Sequence, residues 1–184
     1  MIVGLVLQAN AFAEDWVSRY LQRPASDFTV ADSLMAYSSS TRGVISLNGV
    51  WEARKSGEHG WNSISVPGAY EFEGEVEFRR IFSLDSSVAG KAIKLVALGV
   101  NNRCSVIINN SFVGSHSGGQ TSFTIDIPPE KLRPDSPNEI RITVDNTLLP
   151  RASLPLRHSA NAPCNYGGIF RDIFLIALPS TGIE

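Results

Sequence analysis

The chain has 184 residues, of which 43% are hydrophobic and only 18% charged, and its formal net charge is −2. That length suits one domain with a substantial core. The slightly acidic balance excludes the basic footprint of a nucleic-acid binder. So few charges point to a surface partly covered against something else. Fifteen glycines and ten prolines interrupt the chain every few residues, which favours short strands over long helices.

Met1 to Ala13 is almost wholly apolar and ends in Ala11-Phe12-Ala13 before Glu14 and Asp15. This pattern matches the apolar region and small-residue cleavage site of a secretory signal, although a basic start is missing. The expectation is export, periplasmic or secreted, the alternative being an apolar arm. The segment is too short for a membrane span, which needs about 20 apolar residues. Glu14 to Leu21 carries Trp16, Val17, Tyr20 and Leu21 at helical spacing and is stopped by Pro24. With the polar stretch Tyr37–Gly43 it makes residues 14–43 an extension of short helix and linker.

From Val44 onward the text reads as strands, so residues 44–184 are assigned to one β domain. Val44–Ala53, Val76–Leu84, Ile93–Leu98 and Ile169–Leu178 are apolar runs. Cys104, Val106 and Ile108 alternate with Ser105, Ile107 and Asn109. Phe123, Ile125 and Ile127 alternate with Thr124 and Asp126, and Ile140, Ile142 and Val144 with Arg141 and Thr143. Asn109-Asn110 is a hairpin signal, because asparagine tolerates positive φ. At least seven strands without intervening helices predict an all-β sandwich, best satisfied by a jelly roll.

Near the end, Gly167-Gly168-Ile169-Phe170-Arg171-Asp172 sets adjacent opposite charges inside an apolar run. In a strand they would point to opposite faces, so one of them needs a rim or a partner. The alternative is a charged edge strand that resists aggregation. Cys104 and Cys164 lack paired-ligand spacing, and His59, His116 and His158 are scattered, so neither zinc nor any other cofactor is expected. The two cysteines can form a disulfide only in an oxidising compartment.

The order of motifs resembles the N-terminal domain of family 2 glycoside hydrolases, which include β-galactosidases, β-glucuronidases and β-mannosidases. Leu47-Asn48-Gly49-Val50-Trp51, then Trp61 and Val66-Pro67-Gly68-Ala69-Tyr70, are similar to that domain's opening. Gly74 to Phe82, with Arg79-Arg80, resembles its double-arginine strand, although Glu77 and Phe78 replace the usual tryptophan and tyrosine. Val106–Asn110, Val113-Gly114 with His116 and Gly118-Gly119, Val144-Asp145-Asn146 and Gly167–Asp172 follow in order.

The resemblance implies a galactose-binding-like jelly roll that contributes to a sugar site in an adjacent barrel. The family's two catalytic glutamates lie in that barrel, which needs about 250 residues, so no catalytic residue is assigned here. The implied partner is a β-glycoside carbohydrate, met in the context of the barrel; the sugar identity is left open. Asp172 is the first candidate ligand contact, since a carboxylate accepts hydrogen bonds from sugar hydroxyls. It is expected at an open rim, the alternative being an ion pair with Arg171 or another arginine. Asn165 and Tyr166 are expected to line the same rim, or else to cap the turn and pack. Trp51 and Trp61 are assigned to the core, Arg79 and Arg80 to ion pairs, and His116 to a loop without a partner. Two further readings remain, an interaction module that touches no sugar and a free-standing carbohydrate-binding module with an aromatic platform.

Overall fold

The computed structural model describes residues 15–18, 20–22, 39, 42–85, 88, 90–119, 121–149 and 165–179. The apolar segment 1–13, Cys164 and His158 lie outside these. One helical turn, α1 (Asp15–Ser18), precedes the strands β1 (Leu21–Gln22), β2 (Gly43–Ser46), β3 (Gly49–Lys55), β4 (Asn62–Val66), β5 (Gly68–Ala69), β6 (Glu75–Phe82) and β7 (Ala92–Ala97). The chain continues through β8 (Val100–Asn101), β9 (Arg103–Ile108), β10 (Ser111–Ser117), β11 (Phe123–Ile127), β12 (Asn138–Asp145), β13 (Gly168–Ile169) and β14 (Ile173–Leu178). The predicted helix to Leu21 is therefore cut to one turn, because Leu21 and Gln22 pair with Ala69 and Gly68 instead.

A six-stranded sheet, β10-β9-β12-β6-β3-β4, faces a four-stranded sheet, β11-β7-β14-β2, and every pairing is antiparallel. This is the expected all-β jelly-roll sandwich. Alternation puts Trp51, Val76, Phe78, Val106, Ile108, Ile140, Ile142 and Val144 of the larger sheet into one apolar cluster with Leu95, Ile125, Ile173 and Leu175 of the smaller. Trp16 and Tyr20 join the same cluster, so residues ahead of the sandwich help to close its core. The hairpin between β9 and β10 turns on Asn109 and Asn110, both at positive φ.

Two apolar runs predicted as single strands are each divided. Val44–Ala53 breaks at Leu47-Asn48, where the chain crosses from the four-stranded to the six-stranded sheet as β2 gives way to β3. Ile169–Leu178 breaks at residues 170–172, between β13 and β14. In both places a buried apolar side chain (Leu47, Ile169) leads into the break; the first leaves no mark in hydropathy, whereas Arg171 and Asp172 mark the second.

Candidate functional site

Both breaks meet at one end of the sandwich. Leu47 donates its N–H to the carbonyl of Ile173 at 2.9 Å, and its own carbonyl accepts the Trp51 indole N–H at 2.7 Å. The Asn48 side chain then bridges the two crossings. Its Nδ2 donates to Asp172 Oδ1 at 3.0 Å, and its Oδ1 accepts the Ile173 N–H at 3.0 Å. Leu47-Asn48-Gly49-Val50-Trp51 is thus a clasp: one indole, one backbone bond and one amide tie two chain segments across the core.

Residues 170–172 fold over Gly99, whose carbonyl accepts the N–H groups of Phe170 and Arg171, while Leu98 donates to the carbonyl of Asp172 at 2.9 Å. The two adjacent charges separate accordingly. Arg171 is exposed, with its guanidinium 5.7 Å from the Phe170 ring centroid. Asp172 turns inward and is only 9% exposed. An open, rim-facing carboxylate is therefore corrected to a nearly buried one, held by an amide.

The preceding turn is built on glycine for steric reasons. A Cβ at Gly167 would overlap the buried Tyr70 ring, and the two residues exchange backbone hydrogen bonds at 2.8 Å. Gly168 has φ +123°, and a Cβ there would lie 2.7 Å from the Gly68 carbonyl oxygen. Tyr70 itself is enclosed, its hydroxyl donating towards the carbonyls of Gly74 and Val144. Burial pushes that phenol well above its ordinary pKa, so it stays a neutral donor.

Asn165 and Tyr166 enter this turn from a different side. Asn165 Nδ2 donates to the Asn146 carbonyl at 2.7 Å, and the Tyr166 carbonyl accepts from Asn101 Nδ2. The Tyr166 ring meets Phe170 edge-on, with centroids 5.4 Å apart, two residues short of Asp172. Asn146 is fully buried; its Oδ1 accepts the Gly74 N–H and its Nδ2 donates to the Phe72 carbonyl, each at 2.8 Å. Three asparagines that the sequence reading passed over, Asn48, Asn101 and Asn146, therefore position the candidate residues. The sequence signal for Asn48 and Asn146 is that each lies in a family motif; Asn101 has none.

Other assignments change. Trp51 is core, but Trp61 lies half-buried on the outer face of the six-stranded sheet, 4.4 Å from the Arg54 guanidinium and 3.9 Å from that of Arg79. Arg79 pairs with Glu52 at 2.8 Å as expected, whereas Arg80 donates to the carbonyls of Asn48 and Val50 rather than to a carboxylate. His116 is no loop residue: it sits in β10, its ring stacked on Phe123 at 4.1 Å and Nε2 3.1 Å from the Gly118 carbonyl. Cys104 is a free, buried thiol, and burial pushes its pKa up to about 11.

Glu52, Glu77, Glu139 and Asp145 are engaged in ion pairs with Arg79, Arg54 and Arg141, Arg141, and Arg103. A cleft of about 510 Å³ opens at the other end of the strands, between Leu84, Val88, Ile93 and Leu132, away from the candidate residues. Among the described residues no group of three or more His, Cys, Asp or Glu side chains could hold a metal.

No protein-family model matches the chain. It is 30% identical over 107 residues to a β-galactosidase of Thermoanaerobacter pseudethanolicus, a match covering 58% of this chain and 14% of that protein. A β-galactosidase of Bacteroides ovatus is 35% identical over 75 residues, covering 41% of this chain and 9% of the other. The fold superposes on the β-D-glucuronidase structure from Dictyoglomus thermophilum with TM-score 0.68 at 23% identity, covering 78% of this chain and 29% of that one. Each match thus spans a minor part of a much longer glycosidase. Sequence likeness, fold and the order of the motifs agree in making the chain similar to the N-terminal jelly-roll domain of family 2 glycoside hydrolases.

Proposed function

We propose that this chain is a non-catalytic accessory domain of a family 2 β-glycosidase, exported to the periplasm or secreted, and that its Asp172 end supports and completes the sugar site of a catalytic barrel. The observation that carries the reading is the Asn48–Asp172 clasp. It holds a carboxylate in a fixed position at the one end of the sandwich where two sheet crossings, a glycine turn and an asparagine network converge. Pre-set hydrogen bonds of this kind are how a site keeps an acceptor in place for a hydroxyl-rich ligand. Residues 44–184 form the working domain in this reading, and β-glycosides are met only together with the barrel.

Retaining hydrolysis needs two carboxyl groups about 5 Å apart across a sugar. Glu52, Glu77 and Glu139 of the larger sheet are paired with arginines instead. Purified chain is accordingly expected to show no turnover of aryl β-galactosides, β-glucuronides or β-mannosides. Turnover that survives purification and is lost on replacing a carboxylate of this chain would overturn the reading. A second reading, a module that docks on a catalytic partner without touching sugar, draws on the near-burial of Asp172, which suits a structural clasp as well.

A further inference from the structure

Asn48-Gly49 is the chain's single Asn-Gly pair. Asparagine before glycine is prone to deamidate itself: the following backbone nitrogen can attack the side-chain amide, and glycine has no Cβ to crowd the approach. Here the pair lies inside the clasp, and all four polar atoms of Asn48 are engaged. Its N–H donates to Ser46 Oγ at 3.2 Å and its carbonyl accepts Arg80 Nη1 at 2.9 Å. Its Nδ2 donates to Asp172 Oδ1 and its Oδ1 accepts the Ile173 N–H, both at 3.0 Å. Gly49 is exposed, at φ +113°, and a Cβ there would lie 3.3 Å from Arg80 Nη1. These contacts pull in two directions. Arg80 draws electron density from the Asn48–Gly49 peptide, making the Gly49 N–H more acidic, and the Ile173 N–H polarises the side-chain carbonyl. Both prime the reaction. Attack, however, requires Cγ to turn towards the Gly49 nitrogen and Nδ2 to leave, which gives up the bonds to Asp172 and Ile173.

We propose that Asn48 is a deamidation site gated by its hydrogen bond to Asp172: protected while the clasp is closed, modified when it opens, and unable to close it afterwards. In the open state hydroxide takes the Gly49 N–H proton and the nitrogen attacks Asn48 Cγ. That C–N bond forms as the Cγ–Nδ2 bond breaks, and Nδ2 leaves as ammonia with a proton from water. The cyclic imide then takes up water at either carbonyl, leaving aspartate or isoaspartate. In both products a carboxylate replaces the side-chain donor that Asn48 offered to Asp172. Two like charges then share the corner, and one must take a proton or turn away. Isoaspartate also lengthens the backbone by one methylene at the crossing from β2 to β3. The Asp172 end thus carries a one-way record of its own opening.

The test incubates the full chain in mildly alkaline buffer and follows the Asn48 peptide by mass as amide turns to acid, with isoaspartate counted separately. Asn110-Ser111, in the hairpin between β9 and β10 with Asn110 exposed, serves as the internal clock. Asp172→Ala should deamidate at Asn48 about tenfold or more faster than the parent, because the reaction follows the population of the open form, with the Asn110 rate unchanged. Asp172→Asn keeps an acceptor oxygen and should stay at the parent rate. If Asp172→Ala does not fold, the parent unfolded in urea takes its place, and the folded parent should be slower than that by at least the same factor. A folded parent that reacts as fast as the unfolded chain, an Asp172→Ala rate equal to the parent's, or an Asp172→Asn rate equal to that of Asp172→Ala would overturn the proposal.

Discussion

Asn48 and Asp172 are 124 positions apart in sequence, yet one amide joins them and also caps the first residue of β14. A buried donor left without its acceptor costs about 1–3 kcal/mol. Asp172→Ala should therefore destabilise the fold by that amount in urea titration, and Asn48→Ala by at least as much. Asp172→Asn keeps an acceptor oxygen in place and should stay within about 0.5 kcal/mol of the parent. A loss near the range for a broken buried ion pair, about 3–5 kcal/mol, on Asp172→Asn would show that charge rather than the hydrogen bond holds this corner. The break at Arg171-Asp172 was legible because two charges interrupt an apolar run. The partner was not, since no local pattern links an asparagine in one turn to an aspartate in another. Trp61 misled for a related reason: apolar neighbours in sequence suggested core, while two arginines on adjacent strands claim its ring.

At the scale of elements, strand positions and the Asn109-Asn110 hairpin could be read directly from alternation and turn chemistry. The crossing at Leu47-Asn48 could not, because the buried Leu47 carries the apolar run up to it. The turn into β13 is the most constrained of these joints. Gly168→Ala would force a side chain into left-handed backbone and against the Gly68 carbonyl, and should cost about 1–3 kcal/mol, measured as a drop in the urea midpoint. A second joint ties β9 to the end of β12, where Arg103 Nη2 donates to Asp145 Oδ2 at 2.7 Å. Burial works to raise the Asp145 carboxyl, but hydrogen bonds from Thr147 and Arg103 and the Arg103 charge outweigh it and hold the pKa below its ordinary value. The stability it contributes is thus present above the unfolded-state pKa of about 3.9 and lost as the pH falls through the lower folded value. Between about pH 5 and pH 2.5 the parent should lose more stability than Asp145→Asn; equal losses would remove Asp145 from the account.

For the molecule as a whole, an all-β sandwich is legible in composition and periodicity, and the ordered motifs resemble those of family 2. The structure adds the physical sense of those motifs: Leu47–Trp51 and Gly167–Asp172 are the two halves of one clasp at one end of the sandwich. The accessory-domain account makes that end functional. The most direct measurement is catalysis by a chimera in which residues 42–179 replace the corresponding domain of the Bacteroides ovatus β-galactosidase, 35% identical over its matched stretch. The account predicts an active enzyme whose kcat/KM for an aryl β-galactoside falls about tenfold or more on Asp172→Asn, a loss of at least about 1.4 kcal/mol of transition-state stabilisation, with thermal stability unchanged. An active chimera indifferent to Asp172→Asn would contradict it and leave the domain a docking module.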